Sequence, residues 1–84
     1  MYKLTIKPSA LKEIKRLAER AKSRVKKAIE RLRSEPRPRG VRKIVGGDDI
    51  YRLRLGDYRV IYHIDEAERK IRIMAVRKRD EVYR

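Results

Sequence analysis

Arg52, Arg54 and Arg59 are where chemistry could begin in this chain. They lie in the stretch YRLRLGDYRVIY, residues 51–62. Apolar and basic residues alternate there on either side of Gly56-Asp57. Period-two alternation broken by a two-residue Gly-containing loop predicts an antiparallel hairpin. With 56 and 57 as the loop, 55 pairs with 58, 54 with 59 and 53 with 60. Tyr51, Leu53, Leu55, Tyr58, Val60 and Tyr62 then share one face. Arg52, Arg54 and Arg59 share the other, with Arg54 directly across from Arg59. Like charges placed opposite one another cost some tenths of a kcal/mol. Arginine cannot shed its charge, and its planar fork matches phosphate oxygens. The patch therefore reads either as a site for a polyanion or as the solvated face of a very basic protein.

Most other catalytic constellations are excluded. His63 is the single histidine, so neither a two-histidine metal site nor a histidine acid–base pair can form. Cysteine is absent, which removes disulfides and thiolate chemistry. Asp48-Asp49 and Glu66/Glu68 sit in turn-like sequence, where turn chemistry explains them. Ser9 and Ser23 read as helix-start residues, and Gly46-Gly47 is too short to cradle a phosphate. Tyr83 stands apart, in a charged tail whose one other apolar residue is Val82. It can stack on a nucleobase, or join Val82 in tucking the tail against Met74 and Val76.

These residues need elements to hold them. The chain has 84 residues and a formal net charge of +14. That length predicts one domain, residues 1–84, and the charge points to nucleic acid or an acidic protein partner. No apolar run reaches membrane-spanning length, so a cytoplasmic protein is expected. Asn and Gln are missing and 45% of residues are charged, a bias that resembles hyperthermophile proteins. Residues 2–7 alternate as a short strand that Pro8 ends. Ser9 is the expected N-cap of a helix of about 10 to 13 residues. The phase resets near Lys22-Ser23, and Val25, Ala28, Ile29 and Leu32 mark a second helix ending near Glu35. Residues 36–40 are a stop and a loop. Residues 41–45 are a strand candidate, 46–49 a turn, and 71–76 a last strand apolar on both faces, as a central strand would be. The expected fold is α+β: an N-terminal strand, a helical hairpin, then a small antiparallel sheet packed on the helices. Arg52, Arg54, Arg59, His63 and Arg72 are left on the far face of the sheet.

The helical hairpin, the YRLRLGDYRVIY stretch and the terminal AVRKRDEVYR together resemble the RelE toxins of the RelE/ParE superfamily over nearly the whole chain. The resemblance implies the toxin of a type II toxin–antitoxin module. Such a toxin is a metal-independent, ribosome-dependent endoribonuclease that cleaves mRNA in the A site through attack of the 2′-hydroxyl on the adjacent phosphate. It implies no cofactor, an acidic cognate antitoxin, and a monomer when alone. Carried over by position, the site is Arg52, Arg54, Arg59, Arg79 and Tyr83. The first two are lysines in the best-known members, one of them proposed as the general base. Arginine cannot serve there, because its pKa exceeds 12. Two other readings stand beside this one: a ParE-like inhibitor of DNA gyrase, and a non-catalytic RNA-binding module.

Overall fold

The computed structural model describes residues 1–44, 46 and 49–78. In chain order the elements are β1 (Lys3–Ile6), α1 (Pro8–Lys15), α2 (Glu19–Leu32), β2 (Arg42–Lys43), β3 (Ile50–Leu55), β4 (Tyr58–Asp65) and β5 (Lys70–Lys78). The strands form one sheet in the order β1-β5-β4-β3-β2. The fold is the expected α+β, with helices on one face of the sheet. The sheet is mixed, however, because β1 runs parallel to β5 while the other neighbours are antiparallel.

The helices differ from expectation in their ends. Pro8 opens α1 at its first turn, and Lys7 is the N-cap without a side-chain hydrogen bond. Ser9 is therefore inside the helix and caps nothing. Proline suits that place because the first-turn N–H has no helical partner anyway. Helix α1 has 8 residues and stops at Lys15, well before Lys22-Ser23. Its last turn tightens, with Leu17 N–H donating to the Ile14 carbonyl at 3.1 Å. Ala18 is extended and caps α2. Neither Gly nor Pro marks this break. Half-buried Leu17 packs on the core there, so tertiary packing sets a boundary that local sequence does not. Helix α2 buries Val25, Ile29 and Leu32, the spacing of a single stripe. Glu19 begins α2 and pairs with Lys22 at 3.3 Å.

The core joins that stripe and Ala10 and Ile14 of α1 to Leu53, Val60, Tyr62, Ile64, Ile71, Ile73 and Val76 of the sheet. Tyr51 and Tyr62 stack with ring centroids 5.9 Å apart. The buried Tyr62 hydroxyl donates to the Pro36 carbonyl at 2.6 Å. Burial pushes that phenol's pKa well up, so it remains a donor.

Strand β5 is an interior strand, as its two apolar faces suggest, but its register is broken. Ile61 pairs with Ala75 while Tyr62 pairs with Ile73, leaving Met74 as an extra residue. This bulge resets the alternation. Ile71, Ile73 and Val76 are all buried against the helices, and Arg77 is sent to the opposite face.

A polar cluster ties the ends of these elements together. Arg37 donates from Nη1 to Glu66 Oε1 at 2.9 Å and from Nε to the Tyr51 hydroxyl at 3.0 Å. The Tyr2 hydroxyl donates to Glu66 Oε2 at 2.9 Å. Arg37 and Tyr2 hold the Glu66 carboxyl below its ordinary value of 4.5. A depressed carboxyl pKa stabilises the fold above the unfolded-state value and ceases to do so as pH falls through the folded-state value. Glu66→Gln is therefore expected to lower the melting temperature at neutral pH. The gap to the wild type should close below pH 4.5. Thermal melts from neutral pH down to about 3 check this; a gap that does not vary with pH would assign the effect to geometry instead of charge.

Candidate active site

The far face of the sheet is built by register. Leu55 pairs with Tyr58, Arg54 with Arg59 and Leu53 with Val60, the pairing that the alternation predicts. Gly56 has φ +59°, the positive value a tight hairpin loop needs at its first position. A Cβ there would lie 2.9 Å from Arg24 Nη1. Arg54 Nε reaches the Gly56 carbonyl at 3.5 Å, a long contact that leans the side chain toward the loop.

Continuing across the sheet, Arg59 pairs with Arg77 of β5. Arg54, Arg59 and Arg77 thus form one row over three adjacent strands. In the next row Arg42, Arg52, Ile61 and Ala75 stand side by side, and beyond it Ile50, His63 and Arg72. Among the described residues, none of the paired positions in these rows is a carboxylate. Arg42, Lys43, Ile44 and Arg52 line a hollow of about 310 Å³ at the outer edge of the face.

Exposure differs sharply along the main row. Arg54 is exposed, and the Arg77 side chain is 52% exposed. Arg59, at the centre, is 3% exposed. A merely solvated face does not account for Arg59, because burying a guanidinium carries a desolvation cost. The row is a buried charge flanked by two reachable ones. Its donors are permanently charged, and positive charge is what stabilising a developing phosphate oxyanion requires.

Of the residues read from sequence, Arg52, Arg54 and Arg59 are brought together on this face. Arg79 and Tyr83 lie outside the described residues. Arg77 was not among those the sequence singled out. Uninterrupted alternation from Ile71 and Ile73 puts position 77 on the helix side, and the bulge at Met74 reverses that. The unbroken apolar run Ile73-Met74-Ala75-Val76, where alternation would put polar residues, is the available hint. His63 is half-buried between Ile50 and Arg72. Among the described residues no group of acidic or histidine side chains is placed to hold a metal ion, and no helix is long and apolar enough to cross a membrane.

A family model for the ParE toxin of the type II toxin–antitoxin system parDE matches residues 4–83. The chain belongs to this family of toxins. Its wider setting is the RelE/ParE superfamily. A curated relative, "Putative toxin RelE1" of Methanocaldococcus jannaschii, is 29% identical over 99% of this chain and 96% of its own length. The RelE chain of an archaeal RelE–RelB complex from Pyrococcus horikoshii superposes with a TM-score of 0.83 at 34% identity, covering 93% of this toxin and 94% of that chain. The isolated E. coli RelE toxin superposes with a TM-score of 0.82 at 29% identity, over 99% and 92% of the two chains. The fold is thus that of RelE toxins, and archaeal relatives fit the composition of this one.

Proposed function

We propose that this toxin cleaves mRNA in the ribosomal A site. The row Arg54–Arg59–Arg77 is the observation that carries the reading. In the reaction the 2′-hydroxyl attacks the adjacent phosphorus. The O2′–P bond forms, the P–O5′ bond breaks, one proton leaves O2′ and one reaches O5′. Negative charge builds on the non-bridging and leaving oxygens, and the arginine row supplies fixed positive charge to meet it. Arg52 and Arg54 position the backbone but take no proton, since a guanidinium stays protonated. Arg79 adds charge from the tail. Tyr83 stacks on the base beside the cut and holds the 2′-hydroxyl in line.

Cleavage of mRNA on programmed ribosomes is the direct test. Tyr83→Phe should keep activity within a few-fold, while Tyr83→Ala should lose about 1–3 kcal/mol of transition-state stabilisation. Equal loss in both would give the hydroxyl a chemical role and count against stacking.

The ParE family match favours a second reading, inhibition of DNA gyrase without nuclease chemistry. A wild-type toxin that leaves ribosome-bound mRNA intact and arrests gyrase would establish it in place of the first.

The partner in either case is an acidic antitoxin, met by a monomeric toxin in the cytoplasm. The solved complexes pair RelE with RelB. Among the described residues, the short β2 pairs with Tyr51 and Arg52 of β3 and not with Leu53 or Leu55. Leu53 and Leu55 then line hollows against Ala21, Arg24, Ala28 and Arg31 of α2. An apolar floor with an arginine rim suits an acidic amphipathic segment. Failure of the operon's acidic partner to co-purify would count against this.

A further inference from the structure

We infer that Glu13 is a positioning residue, which fixes Arg77 for the arginine row. The inference rests on the nuclease reading. Strand β1 covers β5 only as far as the Ile6–Ile73 pair, after which Lys7 N–H donates to the Ile73 carbonyl at 2.9 Å. Beyond that point the edge of β5 is met by a side chain of α1. Glu13 Oε1 accepts the Val76 N–H at 2.9 Å. Its other oxygen, Oε2, accepts Arg77 Nε–H at 3.1 Å.

One carboxylate therefore fixes both the backbone just before Arg77 and the guanidinium itself. The contact is only 26% exposed on the Glu13 side, so water competes with it weakly. Held through Nε, a guanidinium presents both terminal amino groups as a fork of set direction. Register puts the Arg77 backbone opposite Arg59 and one strand further from Arg54. A long side chain that is 52% exposed would otherwise sample many rotamers, and misplacement by about 1 Å can cost a hundredfold in rate. The bulge at Met74 puts position 77 opposite Arg59, and Glu13 at the edge of β5 holds the side chain by its Nε.

Glutamine separates the two contacts. In Glu13→Gln the amide oxygen can still accept the Val76 N–H, but the amide nitrogen cannot accept from Arg77. The variant should fold and melt near the wild type. On programmed ribosomes its kcat should fall about tenfold or more with KM little changed. Introduced into Arg77→Ala, it should produce no further loss, because its effect runs through Arg77. Independently of cleavage, the Arg77 Nε–H resonance should be protected from solvent exchange in the wild type and lose that protection in Glu13→Gln. Equal activity of Glu13→Gln and an active wild type, an equal drop in both backgrounds, or unchanged Nε–H protection would each overturn the proposal while leaving the nuclease reading in place. A wild type that cleaves nothing overturns that reading and the proposal with it.

Discussion

Arg59→Met is expected to abolish mRNA cleavage while leaving the protein folded. Arg59 is 3% exposed and stands between Arg54 and Arg77 in the register. Methionine keeps most of the aliphatic stem, so packing is retained. It also removes the charge at the centre of the row. Alanine is a poorer probe. It deletes buried methylenes worth about 0.8 kcal/mol each, so Arg59→Ala should melt below Arg59→Met. The pair of variants separates charge from volume. Thermal melts combined with cleavage on programmed ribosomes provide the measurement. An Arg59→Met protein that cleaves normally would remove Arg59 from the chemistry.

Arg77→Ala should lower kcat for cleavage by about 10²–10³-fold, the loss seen when one preorganised donor to a developing oxyanion is removed. Its side chain is half-exposed, so the fold should tolerate the change, with lost stability confined to the Glu13 contact. Arg77→Lys should recover little, because an ammonium has neither the Nε hydrogen bond to Glu13 nor the planar fork. Arg79→Ala, assayed beside it, ranks the two arginines. If Arg79 carries the larger effect, the row on the sheet is a binding surface and the transition-state charge is met from the tail.

The hairpin was legible because two local signals agree. Gly56-Asp57 fixes the loop, and strict alternation fixes which residues share a face, so the Arg54–Arg59 pair follows without tertiary information. Arg77 was not legible, because its face depends on one extra residue in β5. Met74 is as apolar as its neighbours and carries no turn signal. The end of α1 was hidden for a related reason: residues 16–18 contain neither Gly nor Pro, and the chain turns there to seat Leu17. Burial of Arg59 also escaped the sequence, since alternation states which face a residue is on and not how far that face is covered. The parallel pairing of β1 is a long-range choice that a six-residue alternating segment does not announce.

That pairing orders events during synthesis. Strand β1 is made first, yet its partner in the sheet, β5, is the last strand to leave the ribosome. Ile71, Ile73 and Val76, on which both helices rest, are translated after everything they pack against. The sheet is not complete, and Arg77 does not stand beside Arg59, until β5 has emerged. Long-range closure of this kind is slow compared with helix formation. A nascent chain of this toxin therefore carries its basic hairpin before the row of arginines is assembled.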